Sequence, residues 1–240
     1  MYHAAFSVRR VFPGNIRHGG QCRGNGPDRS AKGWGKQHRR EDRYHCTVRG
    51  LGYVHGDEHN AGADNVNELM FDRLMTINTD GTFEPRLADS WETNEARDKI
   101  TYHLNENAKW HDGEPVTAED VVYSAQVASS SEYNYLRRIR MQYFAGTDDT
   151  GCETGTDSVE VKAVDDHTVE FTLKTPMDPS IVYALVNRDF FIIPKHLLSG
   201  ISDGDLVNDA FWQKPIGSGP CIFDSTESGV SIEFKANKDY

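Results

Sequence analysis

The sequence predicts an α/β fold, because segments with helical periodicity alternate with segments that have strand periodicity. Apolar residues recur every three to four positions in 64–74 and in 118–128, as they do in amphipathic helices. They alternate with polar residues in 99–104, and again on both sides of Asp165-Asp166, as they do in half-buried strands. This interleaving of the two patterns favours an α/β fold over an all-β fold.

The helical segments carry recognisable start signals. Asp64 precedes the first apolar face and is a candidate N-cap. Thr117 precedes the second apolar face, where its hydroxyl can accept a hydrogen bond from the free amide of Asp120. Asp178-Pro179 can begin a third helix, because proline is tolerated in a first turn. These signals predict where three helices begin.

Turn residues and short apolar runs predict the remaining elements. Residues 78–81 read Asn-Thr-Asp-Gly, which indicates a turn, and Asp165-Asp166 form the turn of a predicted hairpin. Residues 190–194 are a short apolar run, which we interpret as a buried strand that leads into a short turn at 195–198. The last predicted strands are 221–223 and 230–234.

The net charge of −11 conceals two regions of different composition. Residues 1–60 carry 11 basic and five acidic side chains, whereas 61–240 carry 15 basic and 32 acidic ones. Residues 1–55 show no sustained periodicity and are rich in Gly, Arg and His, so we expect them not to fold. We therefore expect 1–56 to be disordered or translated from a wrong reading frame, and 57–240 to be a folded domain.

The two charge balances have different functional implications. A flexible basic arm can bind nucleic acid by neutralising phosphates, so a nucleic-acid-binding protein is one alternative function. The acidic remainder has only eight lysines in 61–240 and resembles the surfaces of salt-adapted proteins. Repulsion within such a surface destabilises the folded state at low ionic strength. We therefore predict a halophilic domain that has no nucleic-acid partner of its own.

Motifs that would carry enzymatic chemistry are absent from the sequence. It contains no phosphate-binding loop, no H-E-x-x-H helix and no C-x-x-C pair. Gly-Ser-Gly at 217–219 lacks the five-residue frame of a nucleophile elbow. His103, His111 and Asp112 lie close together in sequence, but a strand histidine and a His-Asp-Gly turn are more often surface and turn residues. We predict a protein that is not an enzyme and that holds neither metal nor cofactor.

Several motifs in a fixed order resemble one known family. They are NELMFDRL at 67–74, PRLADSWE at 85–92, AKWHDGEPVTAEDVVYS at 108–124, IPKH at 193–196 and PIGSGP at 215–220. On these motifs, residues 57–240 are similar to the family 5 extracellular solute-binding proteins, the dipeptide and oligopeptide receptors of ABC importers. The resemblance implies a type II periplasmic-binding-protein-like fold. This chain would supply part of lobe I, with mixed sheet and helices, and the second lobe would be missing.

The resemblance also implies a function and a location. The protein would capture short peptides for transport, with permease and ATPase subunits as partners and without a cofactor. Another solute on the same scaffold, a nickel chelate or an oligosaccharide, is the alternative. The resemblance implies an extracytoplasmic, membrane-associated protein, although residues 1–55 contain no recognisable signal peptide.

Site residues follow from the resemblance as well. The positions implied to contact the ligand are Asn60, Ala61, Gly62 and Tyr133, the last as an aromatic wall. The positions implied to shape the crossing between the lobes, which close around solute, are Gly217, Gly219 and Pro220. Half a cleft covers too little ligand surface, so a third possibility is that a chain without a second lobe binds nothing at all.

Overall fold

The structure is a computed structural model and describes residues 43–46, 61–133, 138–155, 158–186, 190–227 and 231–240. The strands in these ranges are β1 (Arg43–Cys46), β2 (Met75–Ile77), β3 (Phe83–Pro85), β4 (Ala88–Thr93), β5 (Lys99–Leu104), β6 (Val161–Asp165), β7 (Thr168–Thr172), β8 (Cys221–Glu227) and β9 (Ser231–Ala236). The helices are α1 (Ala61–Met70), α2 (Ala118–Ser129), α3 (Pro179–Val186), α4 (Lys195–Leu198) and α5 (Asp203–Leu206), and 3-10 helices lie at Arg138–Tyr143 and Ala210–Gln213.

The strands form three sheets within the described ranges. Their orders are β1-β9-β8, β2-β3 and β4-β5-β7-β6, and every described pair is antiparallel. Helix α2 packs against β6 and β7 of the four-stranded sheet, and α1 contacts β8 of the three-stranded sheet. Helices therefore cover sheet faces, and the predicted α/β class is confirmed.

The main core forms between the four-stranded sheet and the elements that cover it. In β5 the side chains of Ile100, Tyr102 and Leu104 are buried while those between them are half-exposed, as the alternation predicts. Val121 and Ala125 of α2 are completely buried in the same cluster. Each large apolar side chain that is fully buried stabilises the fold by roughly 1.5–3 kcal/mol. This packing fixes α2 on the sheet.

The first helix differs from its prediction at both ends. It begins at Ala61, so Asp64 lies inside the helix and is not its N-cap, and it ends at Met70 rather than near Leu74. The last helical hydrogen bond joins the Phe71 N–H to the Asn67 carbonyl oxygen (2.8 Å). The Met70 carbonyl accepts instead from the Gly219 N–H (2.8 Å), so a distant segment takes the place of a further helical turn.

The other two predicted helix starts are confirmed. Thr117 is the N-cap of α2, where its backbone N–H donates to the Asp120 carboxylate (2.9 Å). Helix α3 begins at Pro179, and the Asp178 carboxylate accepts from the Ser180 N–H (3.0 Å). Both signals act within one turn of the chain, which is why the local sequence reveals them.

The apolar run 190–194 is not a strand, contrary to the prediction. Phe190 and Ile192 are buried, but their segment pairs with no strand. The Ile192 N–H donates to the Asp72 carbonyl oxygen (3.1 Å), and the Ile193 N–H donates to the Ser124 hydroxyl (2.9 Å). The apolar run therefore reflects burial of an extended segment rather than membership of a sheet.

The short strand β1 lies in the region that we expected not to fold. Its four residues pair with β9 in antiparallel register, so the expectation differs from the structure at Arg43–Cys46. A strand of four residues is too short for a period of two to stand out. Residues 1–42 and 47–60 lie outside the described residues, and the boundary at residue 57 and the reading-frame hypothesis stay predictions.

The excess of acidic side chains predicts a salt-dependent stability. Raising KCl from dilute buffer to 1 M is expected to raise the melting temperature, because screening weakens the repulsion among 32 acidic side chains in 61–240. A gain of 1 kcal/mol corresponds to roughly 2–4 °C for a domain of this size. Scanning calorimetry in KCl and in sucrose of equal osmolality separates charge screening from solvent exclusion. A melting temperature indifferent to KCl would contradict the halophilic interpretation.

Candidate ligand-binding wall and lobe crossing

Tyr133 lies at a bend just after α2 and is half-buried. Its side chain packs against the small apolar cluster of Tyr123, Val127, Leu198 and Leu206. The Tyr133 carbonyl oxygen accepts from the Arg138 guanidinium (3.3 Å), which also donates to the Ser130 carbonyl oxygen (2.8 Å). The tyrosine is thus half-buried against this cluster, and its role as an aromatic wall stays a prediction.

The other predicted ligand contacts are at the start of α1. Ala61 and Gly62 are its first two residues, and Asn60 lies outside the described residues. Backbone N–H groups in the first turn of a helix have no partner within that helix. The resemblance implies that backbone groups at these positions contact the ligand, and this stays a prediction.

Segment 217–220 packs against the end of α1 so closely that two of its residues must be glycine. A Cβ atom on Gly217 would lie 1.9 Å from the Met70 carbonyl oxygen. A Cβ atom on Gly219 would lie 2.8 Å from the Leu69 carbonyl oxygen. Pro220 follows, and its carbonyl oxygen accepts from the Asn237 N–H (2.8 Å). Segment 217–220 is therefore clamped between α1 and the end of β9.

His111 completes this clamp, a role that the sequence did not reveal. Its backbone N–H donates to the Gly217 carbonyl oxygen (2.8 Å), and its ring Nδ1 accepts from the Gly217 N–H (3.1 Å). Its Nε2 lies 2.9 Å from the Gly219 carbonyl oxygen. Burial lowers the pKa of the His111 ring, although the Gly219 carbonyl and the Asp112 carboxylate act in the opposite direction.

A buried carboxylate lies on the other side of segment 217–220. The Asp72 N–H donates to the Ser218 hydroxyl (3.2 Å), and the Asp72 carboxylate accepts from the Tyr240 hydroxyl (2.7 Å). Arg86 donates to the same Tyr240 oxygen (2.8 Å). Burial raises the pKa of Asp72 despite the Tyr240 hydrogen bond, and burial together with Asp72 raises the pKa of Tyr240 to about 12.

The histidines that are close in sequence have different neighbours in the structure. His103 lines an open groove of about 550 Å³, whereas His111 contacts segment 217–220. The other residues that line the groove are Leu104, Glu106, Asp165, Asp166, His167 and Thr168. Among the residues that the structure describes, no three His, Cys, Asp or Glu side chains are arranged to hold a metal ion. None of the described helices has both the length and the apolar character needed to cross a bilayer.

Comparison with known proteins decides the family. A sequence model of the bacterial extracellular solute-binding proteins, family 5 Middle, matches residues 82–240, which is more than half of the chain. The chain belongs to this family. The family consists of solute-binding proteins, so the prediction that the chain is not an enzyme is confirmed.

Individual relatives agree with this assignment. The periplasmic oligopeptide-binding protein OppA of Escherichia coli K12 is 38% identical over 135 residues, which cover 55% of this chain and 24% of OppA. Among solved structures, the oligopeptide-binding protein AppA of Bacillus subtilis in complex with a nonapeptide has a TM-score of 0.65 at 26% identity. NikZ of Campylobacter jejuni in complex with Ni(L-His) has a TM-score of 0.63 at 25% identity.

These matches also define how much of the family's fold is present. Each of the two structural matches covers 80% of this chain, but only 35% of AppA and 34% of NikZ. The chain thus spans about a quarter to a third of the length of these relatives. The predicted type II periplasmic-binding-protein-like fold is confirmed for the part that matches.

Proposed function

We propose that this chain is part of the solute-capturing component of an ABC importer, and that its solute is a short peptide. The match to OppA at 38% identity carries this proposal, because that relative is named for oligopeptide binding. The similarity to AppA in complex with a nonapeptide supports the same class of solute. The permease and ATPase subunits of such an importer are the proposed partners, and the proposed location is the extracytoplasmic face, in association with the membrane.

Tyr133 supports a peptide solute by its chemistry and its position. The Tyr133 ring is half-buried on an apolar cluster, and a tyrosine side chain combines an apolar face with a polar hydroxyl. A peptide side chain can pack against that face while the peptide backbone finds hydrogen-bond partners elsewhere. The Arg138 contacts to the Tyr133 and Ser130 carbonyls hold the bend that presents the ring.

A nickel chelate is the second candidate solute, favoured by the similarity to NikZ in complex with Ni(L-His). A chelate brings nitrogen and oxygen ligands with its metal, so its receptor needs groups that recognise the chelator. The oligosaccharide and nucleic-acid alternatives are supported by no contact in the described residues. Apart from Arg43–Cys46, the basic arm on which nucleic-acid binding would depend lies outside them.

A thermal-shift panel tests the proposed class of solute. The 240-residue chain, and in parallel the longest open reading frame that contains it, are each mixed with tri- to pentapeptides, Ni(L-His), a maltooligosaccharide and double-stranded DNA. We expect the peptides to raise the melting temperature of the longest open reading frame, since a ligand that binds only the folded state stabilises it. A shift caused by Ni(L-His) or DNA and by no peptide would overturn the proposal.

A substitution at Tyr133 tests its part in binding. Tyr133→Ala is expected to weaken peptide binding about tenfold, because an aromatic contact contributes roughly 0.5–1.5 kcal/mol beyond its area and the ring also buries apolar surface. Tyr133→Phe keeps the ring and is the matched control, with an affinity within about twofold of wild type. Calorimetric titration gives both affinities. Equal binding by all three proteins would show that Tyr133 is only a packing residue.

A further inference from the structure

His111 contacts segment 217–220 through both of its ring nitrogens. The Gly217 N–H points at Nδ1 (3.1 Å) and the Gly219 carbonyl oxygen lies at Nε2 (2.9 Å). A nitrogen that accepts from an N–H cannot carry a proton of its own, so Nδ1 is unprotonated. Nε2 therefore carries the hydrogen and donates to Gly219. The contacts fit one form of the ring, the neutral Nε2–H tautomer.

Protonation of this ring would break the contact with Gly217. A proton on Nδ1 would face the Gly217 N–H, and two donors would then point at each other. Gly217 also lies close to α1, since a Cβ built on it would be 1.9 Å from the Met70 carbonyl oxygen, and this leaves the glycine little room to move away from the ring. The charged ring would therefore displace segment 217–220 or leave the site itself.

Several charged groups surround the His111 ring, and the influences on its pKa have opposite signs. Asp112, in the same turn as His111, favours the protonated ring, and its carboxylate is shared with His196 Nε2 (3.0 Å). Beyond segment 217–220, Asp72 contacts Ser218 and Tyr240, and Arg86 contacts Tyr240. Burial is the largest influence on the ring, and it holds the pKa of His111 below its ordinary value.

We propose that His111 is a positioning residue for segment 217–220, and that its protonation loosens this segment and weakens solute binding in mildly acidic medium. The binding half of this inference rests on the proposed function, because it takes segment 217–220 to be the crossing between lobes. The positioning half rests on the two ring contacts alone. It can be tested without any solute.

The sign of the effect on stability follows from the direction of the pKa shift. The ordinary pKa of histidine is about 6.5, and that of His111 in the folded state is lower. The unfolded chain therefore binds the proton more readily than the folded chain does. The contribution of His111 to stability is complete above pH 6.5, and it is lost as the pH falls from there through the folded-state pKa.

Nitrogen-15 NMR of the histidine rings in the 240-residue chain tests the positioning half. We expect His111 at pH 8 to show the Nε2–H tautomer, and the Gly217 amide resonance to move in step with His111 as the pH is lowered to 5. A proton on Nδ1 at pH 8, or a Gly217 amide that stays fixed while His111 titrates, would overturn the proposal.

His111→Gln tests the link to solute binding. A glutamine amide can accept from the Gly217 N–H and donate to the Gly219 carbonyl, but it does not titrate. Both forms are made in the longest open reading frame that contains this chain, where the tripeptide affinity of the wild type is expected to fall about tenfold between pH 7.5 and 5.5, and that of His111→Gln to change less than twofold. Parallel losses in both proteins would overturn the binding half. If neither protein binds tripeptide at pH 7.5, the proposed function fails, whereas the NMR titration decides the positioning half by itself.

Discussion

Gly217→Ala is expected to lower the free energy of unfolding by about 3 kcal/mol. The added Cβ would lie 1.9 Å from the Met70 carbonyl oxygen and 2.6 Å from its carbon, and both atoms belong to backbone that cannot rotate away. The same oxygen accepts from the Gly219 N–H (2.8 Å), so any shift that relieves the overlap also strains that hydrogen bond. His111 then loses its fit to the Gly217 N–H.

Gly200→Ala is the matched control for this substitution. A Cβ on Gly200 meets no atom within 4 Å, and the residue follows α4 on the surface. Its substitution is expected to change the free energy of unfolding by less than about 0.5 kcal/mol. Urea unfolding of the two variants and the wild type gives the comparison. Equal stabilities for the Gly217 and Gly200 variants would contradict the close packing of segment 217–220 on α1.

Asp120→Ala is expected to lower the free energy of unfolding by about 3 kcal/mol, because several hydrogen-bond donors lose the same buried acceptor. One Asp120 oxygen accepts from the Thr117 N–H (2.9 Å), and the other accepts from the Lys195 N–H (2.9 Å). The Trp110 indole N–H also points at this carboxylate (3.4 Å). The side chain thus joins the start of α2, the start of α4 and a buried tryptophan.

The neighbouring Glu119 provides the control. Its carboxylate pairs with the Lys195 ammonium (2.6 Å), but both side chains are substantially exposed, and exposed pairs contribute roughly 0–1 kcal/mol. Glu119→Ala should therefore have a small effect that salt reduces further. Thermal and urea unfolding measure both variants. If Asp120→Ala lowers the free energy of unfolding no more than Glu119→Ala does, the buried hydrogen bonds contribute little to stability.

Elements with local signals are predictable from this sequence. Thr117 marks the start of α2 because its partner Asp120 is only three residues away, and the alternation in β5 reveals its buried face directly. The run at 190–194 is apolar for a different reason. Its N–H groups bond to Asp72 and Ser124, which are distant in sequence, and no local pattern shows that these replace a strand partner.

The candidate site also has a part that the sequence predicts and a part that only the structure reveals. The motifs that contain His111 and Gly217 stand out in the sequence, but the two residues are separated by 106 positions. Neither motif indicates that they are in contact. The Asp72–Tyr240 hydrogen bond spans 168 positions and is likewise visible only after folding. Because a hydroxyl, an imidazole and a carboxylate have many possible partners, residue type alone does not select the one that folding provides.

Native mass spectrometry of the protein with a mixture of tri- to pentapeptides shows whether the protein binds peptide. It counts bound molecules and identifies them in one measurement, on the 240-residue chain and on the longest open reading frame that contains it. We expect one bound peptide per protein in the longest open reading frame, and we expect that excess of a second peptide displaces it whereas Ni(L-His) does not. Saturable binding of Ni(L-His) with no bound peptide in either protein would contradict a peptide receptor.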